Sequence, residues 1–444
     1  MAFLLVAILT SKPTKSSAKL SKDEEDELCA EWKPEPLAPR LTPAQILDAE
    51  SQVVIEARTS GATLQVGDKA LLDVASMDPL RLATHPGSPS TLECTKGLRH
   101  YGTGSCGPRG FYGTIDVHLR LEESIQAFLA SEAAILYSSV FATIASAIPC
   151  FARAGDIVVV DEACAYPVQV GVSLARAKTV VAPHNDVAAL RDIFTSGAPS
   201  RRRDNQRVFL IVEGLYINTG DTAPLAEIVA MKDEFCFYLV LDESHSIGVL
   251  GETGRGAAEA AGVDRSQIDL TLGSLSTAFG SVGGFCAGST TVVKHQRLNG
   301  SGYVFSASSP PFISIAALEC FTALDKDGRR IIAELRRKTA LAHSELAAAS
   351  NVLSVRAPEC RDSPYIHVTE VRPPADSLAA ARRLQQVVDF AAEHGVLLTR
   401  AKYIEKEERP PSPSIRLTIC SLLSADQVKQ AVSVLKQGFA SLRK

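Results

Sequence analysis

A carboxylate that closes an apolar strand, followed within one short turn by an imidazole, can hold a protonated ring nitrogen and bond a phenolic oxygen beside it. Leu239-Val-Leu-Asp-Glu-Ser-His-Ser-Ile-Gly248 has that form: Asp242 and Glu243 end the strand and His245 follows. In open α/β sheets ligands sit beyond the carboxyl ends of strands, so polar residues there mean more than elsewhere. Taken alone, Asp242 reads equally as a cap of the next turn, and His245 as a hydrogen-bonded core histidine. Three other segments could carry chemistry. His100-Tyr-Gly-Thr-Gly-Ser-Cys-Gly-Pro-Arg-Gly-Phe-Tyr-Gly113 has glycines at 102, 104, 107, 110 and 113, which permit positive φ and close backbone approach to a ligand or a partner chain. Arg109 favours an anion there, although a tight connector explains the glycines nearly as well. A small-residue loop over 270–285 runs into a strand and carries Ser274-Leu-Ser-Thr-Ala-Phe-Gly280, with Thr277 at its centre. Tyr303-Val-Phe-Ser-Ala-Ser-Ser-Pro-Pro311 sets hydroxyls before a helix start, near a phosphate or as a plain cap.

Positioning these groups requires a sheet. Short apolar, β-branched runs at 156–160, 178–182, 207–212, 237–241 and 284–288 have the length of buried parallel strands. Alanine-rich helical stretches, such as 122–129 and 187–194, lie between them. The alternation implies an α/β domain whose mostly parallel sheet is covered by helices on both faces. Past Ser308-Ser-Pro-Pro311, helices at 313–324, 331–349 and 377–394 alternate with strands at 366–371 and 414–419, which implies a smaller C-terminal α+β domain. The expected division is an N-terminal segment over 1–45, a large domain over 46–310 and a small domain over 311–444. Arg201-Arg-Arg203, just before a strand, reads as a solvated loop.

The 444 residues are 46% hydrophobic and 22% charged with a net charge of −4, which excludes disorder and a basic nucleic-acid surface for the chain as a whole. The ten cysteines are scattered singly, without the close pairing a zinc site needs, and read mostly as small buried residues of a reducing compartment. Met1-Ala-Phe-Leu-Leu-Val-Ala-Ile-Leu9 is too short to span a bilayer, and its lysines come after the apolar run rather than before it. A truncated membrane anchor, a monotopic touch on a membrane surface, a start-codon choice and an apolar tail without a role all stay open. Ser21-Lys-Asp-Glu-Glu-Asp-Glu27 reads as an acidic helical turn, and Trp32-Lys-Pro-Glu-Pro-Leu-Ala-Pro39 as an extended lead-in.

Together and in this order, the segments between about 90 and 310 resemble the α-oxoamine synthase family of pyridoxal-phosphate enzymes. The motifs that carry the resemblance are Tyr101-Gly-Thr-Gly-Ser-Cys-Gly-Pro-Arg-Gly-Phe-Tyr-Gly-Thr114, Phe141-Ala-Thr-Ile-Ala-Ser-Ala-Ile-Pro149, Glu213-Gly-Leu-Tyr-Ile-Asn-Thr-Gly220, His295-Gln-Arg-Leu298 and the stretch from Gly302 to Ser306. The resemblance implies the fold type I of pyridoxal-phosphate transferases, with paired subunits that share active sites. It makes Asp242 the carboxylate for the cofactor's pyridine nitrogen and His245 the histidine near its phenolic oxygen. It sets Ala165 where the family has a stacking histidine, and Ala307, flanked by Ser306 and Ser308, where a hydroxyl reaches a neighbouring subunit's phosphate. It sets Thr277 where the family has the lysine that binds the cofactor as an imine. A hydroxyl cannot form that bond, and no lysine occurs between Glu243 and Val293. The likeness is strongest to the branch that condenses serine with palmitoyl-CoA to 3-ketosphinganine, an acyl transfer that begins sphingolipid synthesis. In that branch a chain without the lysine completes the active site of a lysine-bearing second subunit, which holds the pyridoxal phosphate covalently. The implied catalytic contribution of this chain is none. Asp242 and His245 become vestigial or weak cofactor contacts. Tyr101, Ser105, Cys106 and Arg109 form a shared active-site loop, and Ser306 and Ser308 lie on the phosphate side. The resemblance also implies the endoplasmic reticulum membrane, facing the cytosol, and small membrane regulators. A self-sufficient synthase acting on another amino acid and a purely regulatory scaffold are the alternatives.

Overall fold

A computed structural model of the chain describes residues 20–34, 36–59, 61–84 and 88–443. The apolar stretch Met1 to Leu9 lies outside the described residues. Residues 1–49 and 50–444 form two units. In the first, the acidic run opens the helix Lys22–Glu31, which buries no residue. Its start is a reciprocal cap: the Glu24 amide donates to Ser21 Oγ at 3.3 Å, and the Ser21 amide to Glu24 Oε2 at 2.8 Å.

The second unit contains the strands β1 Ala57–Arg58, β2 Thr63–Val66, β3 Lys69–Asp73, β4 Ala133–Tyr137, β5 Ile157–Asp161, β6 Lys178–Ala182, β7 Val208–Glu213, β8 Tyr238–Asp242, β9 Leu270–Ser274, β10 Gly284–Gly288, β11 Leu353–Val355, β12 Tyr365–Glu370, β13 Val396–Leu397, β14 Thr399–Arg400 and β15 Ile415–Thr418. Seven of them form the central sheet in the order β4-β10-β9-β8-β7-β5-β6. β5 to β9 pair in parallel, and β10 alone runs against its neighbours β9 and β4. Every residue of β5 and β7 is buried, which is why these strands are continuous apolar runs rather than alternating ones. The helices Asp116–Leu129, Val140–Phe151 and Tyr166–Ala175 turn apolar faces to the same core. Helices that return the chain after each parallel strand bring the carboxyl ends of β5, β7, β8 and β9 to one edge, where Asp161, Glu213, Asp242 and Ser274 lie.

The smaller C-terminal domain has the antiparallel sheet β11-β12-β15-β14, packed by the helices Ser377–Glu393 and Ala425–Ser441 around a second core that includes Leu384, Val387, Leu417, Val428 and Leu435. A third sheet, β1-β2-β3-β13, pairs β3 in parallel with β13. The helical stretch Pro311–Ala347 is two helices that meet at a kink, where Asp327 leaves the helical conformation (φ −143°, ψ 22°), as the helices expected at 313–324 and 331–349 require. Beside the kink, Gly328 lets the helix pass against the main chain of Thr253, where a Cβ would stand 2.6 Å from the carbonyl oxygen. That close passage is invisible in the local pattern.

Candidate active site

Asp242 is buried at the end of β8, and its Oδ1 accepts the Ser244 amide at 2.9 Å. Its register partner on β7 is Glu213, also buried, which accepts the amides of Ala165 and Ile217. Burial pushes the Asp242 carboxyl up to about 6. Burial, with the Asp242 charge beside it, raises Glu213 as well. The pair therefore takes up a proton far more readily than two solvated carboxylates would.

His245 stands half-buried one turn on, its ring edge-to-face with Tyr365 at 5.7 Å and its Nδ1 without a partner. Burial, with the Arg416 charge nearby, holds its pKa down to about 3, so the ring is neutral at physiological pH. Thr277 is buried after β9 and donates its hydroxyl to the Ser244 carbonyl at 2.7 Å. The turn after β8 and the loop after β9 are thereby tied together, and Asp242, His245 and Thr277 share one place.

Facing them are residues that the sequence reading did not single out. β12 and β15 pair Tyr365 with Thr418 and His367 with Arg416, so these side chains share one face of the small sheet. Arg416 Nε, Tyr365 Oη, Tyr403 Oη and Thr418 Oγ1 are buried without hydrogen-bond partners. Such donors, next to a neutral imidazole, suit an anion or a polar ligand. The available signal was a charge and a hydroxyl two residues apart inside a short apolar strand, Ile415-Arg-Leu-Thr418. A third unforeseen feature lies at the same sheet edge: His184 bridges Asp161 at 2.8 Å and Asp221 at 3.0 Å.

The remaining expected residues form a separate group. Tyr101 donates to Asp116 at 2.7 Å, and Ser105 donates to the Ser308 carbonyl at 2.7 Å. Cys106 is exposed, with φ of 59°. Ser308 is buried, and its hydroxyl is directed to the carbonyls of Gly107 and Gly113, within the chain. The anion that Arg109 meets is Glu122, at 2.9 Å, also within the chain. Arg109, Ser306, Ala307 and Ser308 line a small cleft with Tyr137 and Tyr303, whereas Asp242, His245 and Thr277 belong to the other group.

Against pyridoxal phosphate, the cofactor that the resemblance implies, these residues fit in part. The buried Asp242 carboxylate and the open Nδ1 of His245 suit a pyridine ring. Thr277 offers no amine, its hydroxyl is engaged, and Ala165, which the resemblance sets at the position of a stacking ring, carries only a methyl group. A covalently held cofactor does not fit these residues, and no chemical step through it is assigned to them.

The model of the family "Aminotransferase class I and II" matches residues 71–435. Serine palmitoyltransferase 1 of Dictyostelium discoideum is 40% identical over 98% of this chain and 92% of its own length. Long chain base biosynthesis protein 1b of Oryza sativa subsp. japonica is 42% identical over 79% of this chain and 74% of its own. Serine palmitoyltransferase 1 of Saccharomyces cerevisiae is 30% identical over 94% and 82%. Among solved structures, a Sphingomonas wittichii serine palmitoyltransferase superposes with a TM-score of 0.78 at 23% identity, covering 90% of this chain and 95% of that one. An S. paucimobilis serine palmitoyltransferase with a bound PLP-myriocin aldimine gives a TM-score of 0.80 at 22% identity, over 95% and 98%. The two structures share the fold.

Proposed function

The chain belongs to the aminotransferase class I and II family, with the serine palmitoyltransferase 1 and long chain base biosynthesis protein 1 chains as its relatives, and from that membership we propose that it is the non-catalytic subunit of a serine palmitoyltransferase. The pair would condense L-serine with palmitoyl-CoA to 3-ketosphinganine. Pyridoxal phosphate, held by a lysine of the second subunit, would serve there as the electron sink for loss of the serine α-proton and for decarboxylation.

The observation that carries this reading is Thr277. Its hydroxyl is bonded to Ser244, and no lysine lies between Glu243 and Val293 to take over an imine. What this chain contributes is surface and orientation. Thr277 and Asp242 hold the turn after β8 in shape. The glycine-rich loop and the segment from 300 to 309 present Tyr112, Phe305 and Phe111, which are 95%, 84% and 69% exposed. Such large apolar side chains left exposed favour a protein partner. An obligate pair of this kind buries roughly 2,000 Å² or more.

The pair is assigned to the cytosolic face of the endoplasmic reticulum membrane by family likeness alone. Among the described residues no helix is long and apolar enough to cross a membrane. The test of the subunit assignment is to purify the pair, reduce it with borohydride and locate the pyridoxyl group by peptide mapping. A pyridoxyl-lysine on the second subunit only is expected. A stoichiometric pyridoxyl-lysine on this chain would overturn the reading.

A further inference from the structure

Glu122 lies inside the helix Asp116–Leu129 and is 6% exposed. Its Oε1 accepts Arg109 Nη1 at 2.9 Å and the Leu136 amide of β4 at 3.0 Å, and its Oε2 accepts Arg297 Nη2 at 3.1 Å. Arg297 Nη1 donates to the Tyr303 hydroxyl at 3.0 Å, and both guanidinium groups lie over the Tyr303 ring, 5.8 and 5.9 Å from its centre. Two cations, the buried Arg109 and the partly exposed Arg297, thus meet one buried carboxylate.

Removing the Arg109 and Glu122 charges from water is costly, and apolar side chains of similar volume pack a helix against a sheet as stably. What the ions add is geometry, since a guanidinium fork fixes direction as well as distance. The groups they fix are informative. Arg109 continues through Nε to Thr114 Oγ1 at 3.1 Å, which closes the end of the glycine-rich loop. The loop is laced to the segment after Tyr303 by Ser105 Oγ to the Ser308 carbonyl and by the Ser308 amide to the Gly107 carbonyl at 2.9 Å. Glu122 therefore registers both segments to β4 at once, and Phe111, Tyr112 and Phe305 ride on them.

Resting on the subunit reading above, we propose that Glu122 is a positioning residue for the partner's active site: through Arg109 and through Arg297 and Tyr303 it sets how this chain's exposed loop and segment meet the lysine-bearing subunit. Glu122 touches no substrate; it acts through the surface it holds. Two variants test this in the assembled pair, with serine and palmitoyl-CoA as substrates. Glu122→Gln keeps the side-chain shape and removes the charge that gathers both arginines. Tyr303→Phe removes a single hydrogen bond and keeps the ring.

At equal amounts of assembled pair, turnover is expected to fall about tenfold for Glu122→Gln and about threefold for Tyr303→Phe. The visible circular dichroism of the partner's bound cofactor should change with it. Turnover, serine KM and dichroism all equal to wild type in both variants would overturn the proposal, and so would a loss that only tracks unassembled chain. If Glu122→Gln does not fold, Tyr303→Phe decides by the same criteria. A wild-type pair that fails to form or to turn over would instead overturn the subunit reading itself, so the two failures are distinguishable.

Discussion

The hydroxyl of Thr277 has one acceptor, the Ser244 carbonyl, which lies in the turn that carries Asp242 and His245. Thr277→Val keeps the shape and leaves that buried carbonyl without its donor, which should cost about 1–3 kcal/mol. A urea titration of the chain checks this, and an unchanged midpoint would show that the bond contributes nothing to the turn. His184 makes a second prediction. Burial alone would lower its pKa, but hydrogen bonds and charge from Asp161 and Asp221 outweigh it and raise the value to about 10. The folded state then keeps a proton that the unfolded chain releases above the ordinary value of 6.5. The stabilisation is fully present below pH 6.5 and is lost as pH rises towards 10. His184→Gln should therefore be most destabilised relative to wild type near pH 6, with the gap closing by pH 10 in denaturation measured across that range; a gap that widens with pH would contradict the bridge. At this scale Asp242, His245 and Thr277 were legible because one strand end and one loop deliver them. Arg416, Tyr365 and His184 were not, because the groups that give them meaning arrive from other strands and from loops distant in sequence.

Among the elements, the glycine-rich loop owes its path to one close passage. A Cβ on Gly113 would stand 1.7 Å from the Gly107 carbonyl oxygen and 2.6 Å from Ser308 Oγ, whereas one on Gly107 would meet nothing nearer than 3.5 Å. Gly113→Ala is expected to cost at least about 3 kcal/mol and to weaken assembly with the partner, while Gly107→Ala should stay within about 1 kcal/mol of wild type. Thermal unfolding of the two variants side by side checks the contrast, and equal effects would mean that the loop does not hold this path. Five strands of the central sheet were readable, β5 and β7 because burial on both faces leaves continuous apolar runs, whereas β4 was not singled out and β9 lies in the stretch read as a small-residue loop. The pairing of β3 with the two-residue β13 was not, since so short a strand has no period to read. The two helices within Pro311–Ala347 were readable on either side of the kink at Asp327, whereas the passage of Gly328 against Thr253 is a contact the local pattern does not record.

For the whole molecule, membership in the aminotransferase class I and II family and the identities of 30–42% with serine palmitoyltransferase 1 and long chain base biosynthesis protein 1 chains agree with the fold type expected from the ordered motifs between about 90 and 310. Composition could exclude classes, but only long motifs in a fixed order could point to one family. The proposed dependence on a second subunit rests on a single missing amine, and one assay addresses it. The purified chain is given serine, palmitoyl-CoA and pyridoxal phosphate, alone and after mixing with the lysine-bearing subunit, and 3-ketosphinganine is measured. No product is expected from the chain alone, with turnover appearing when the second subunit is added; product formed by the chain alone at the rate of the pair would contradict the proposed division of labour.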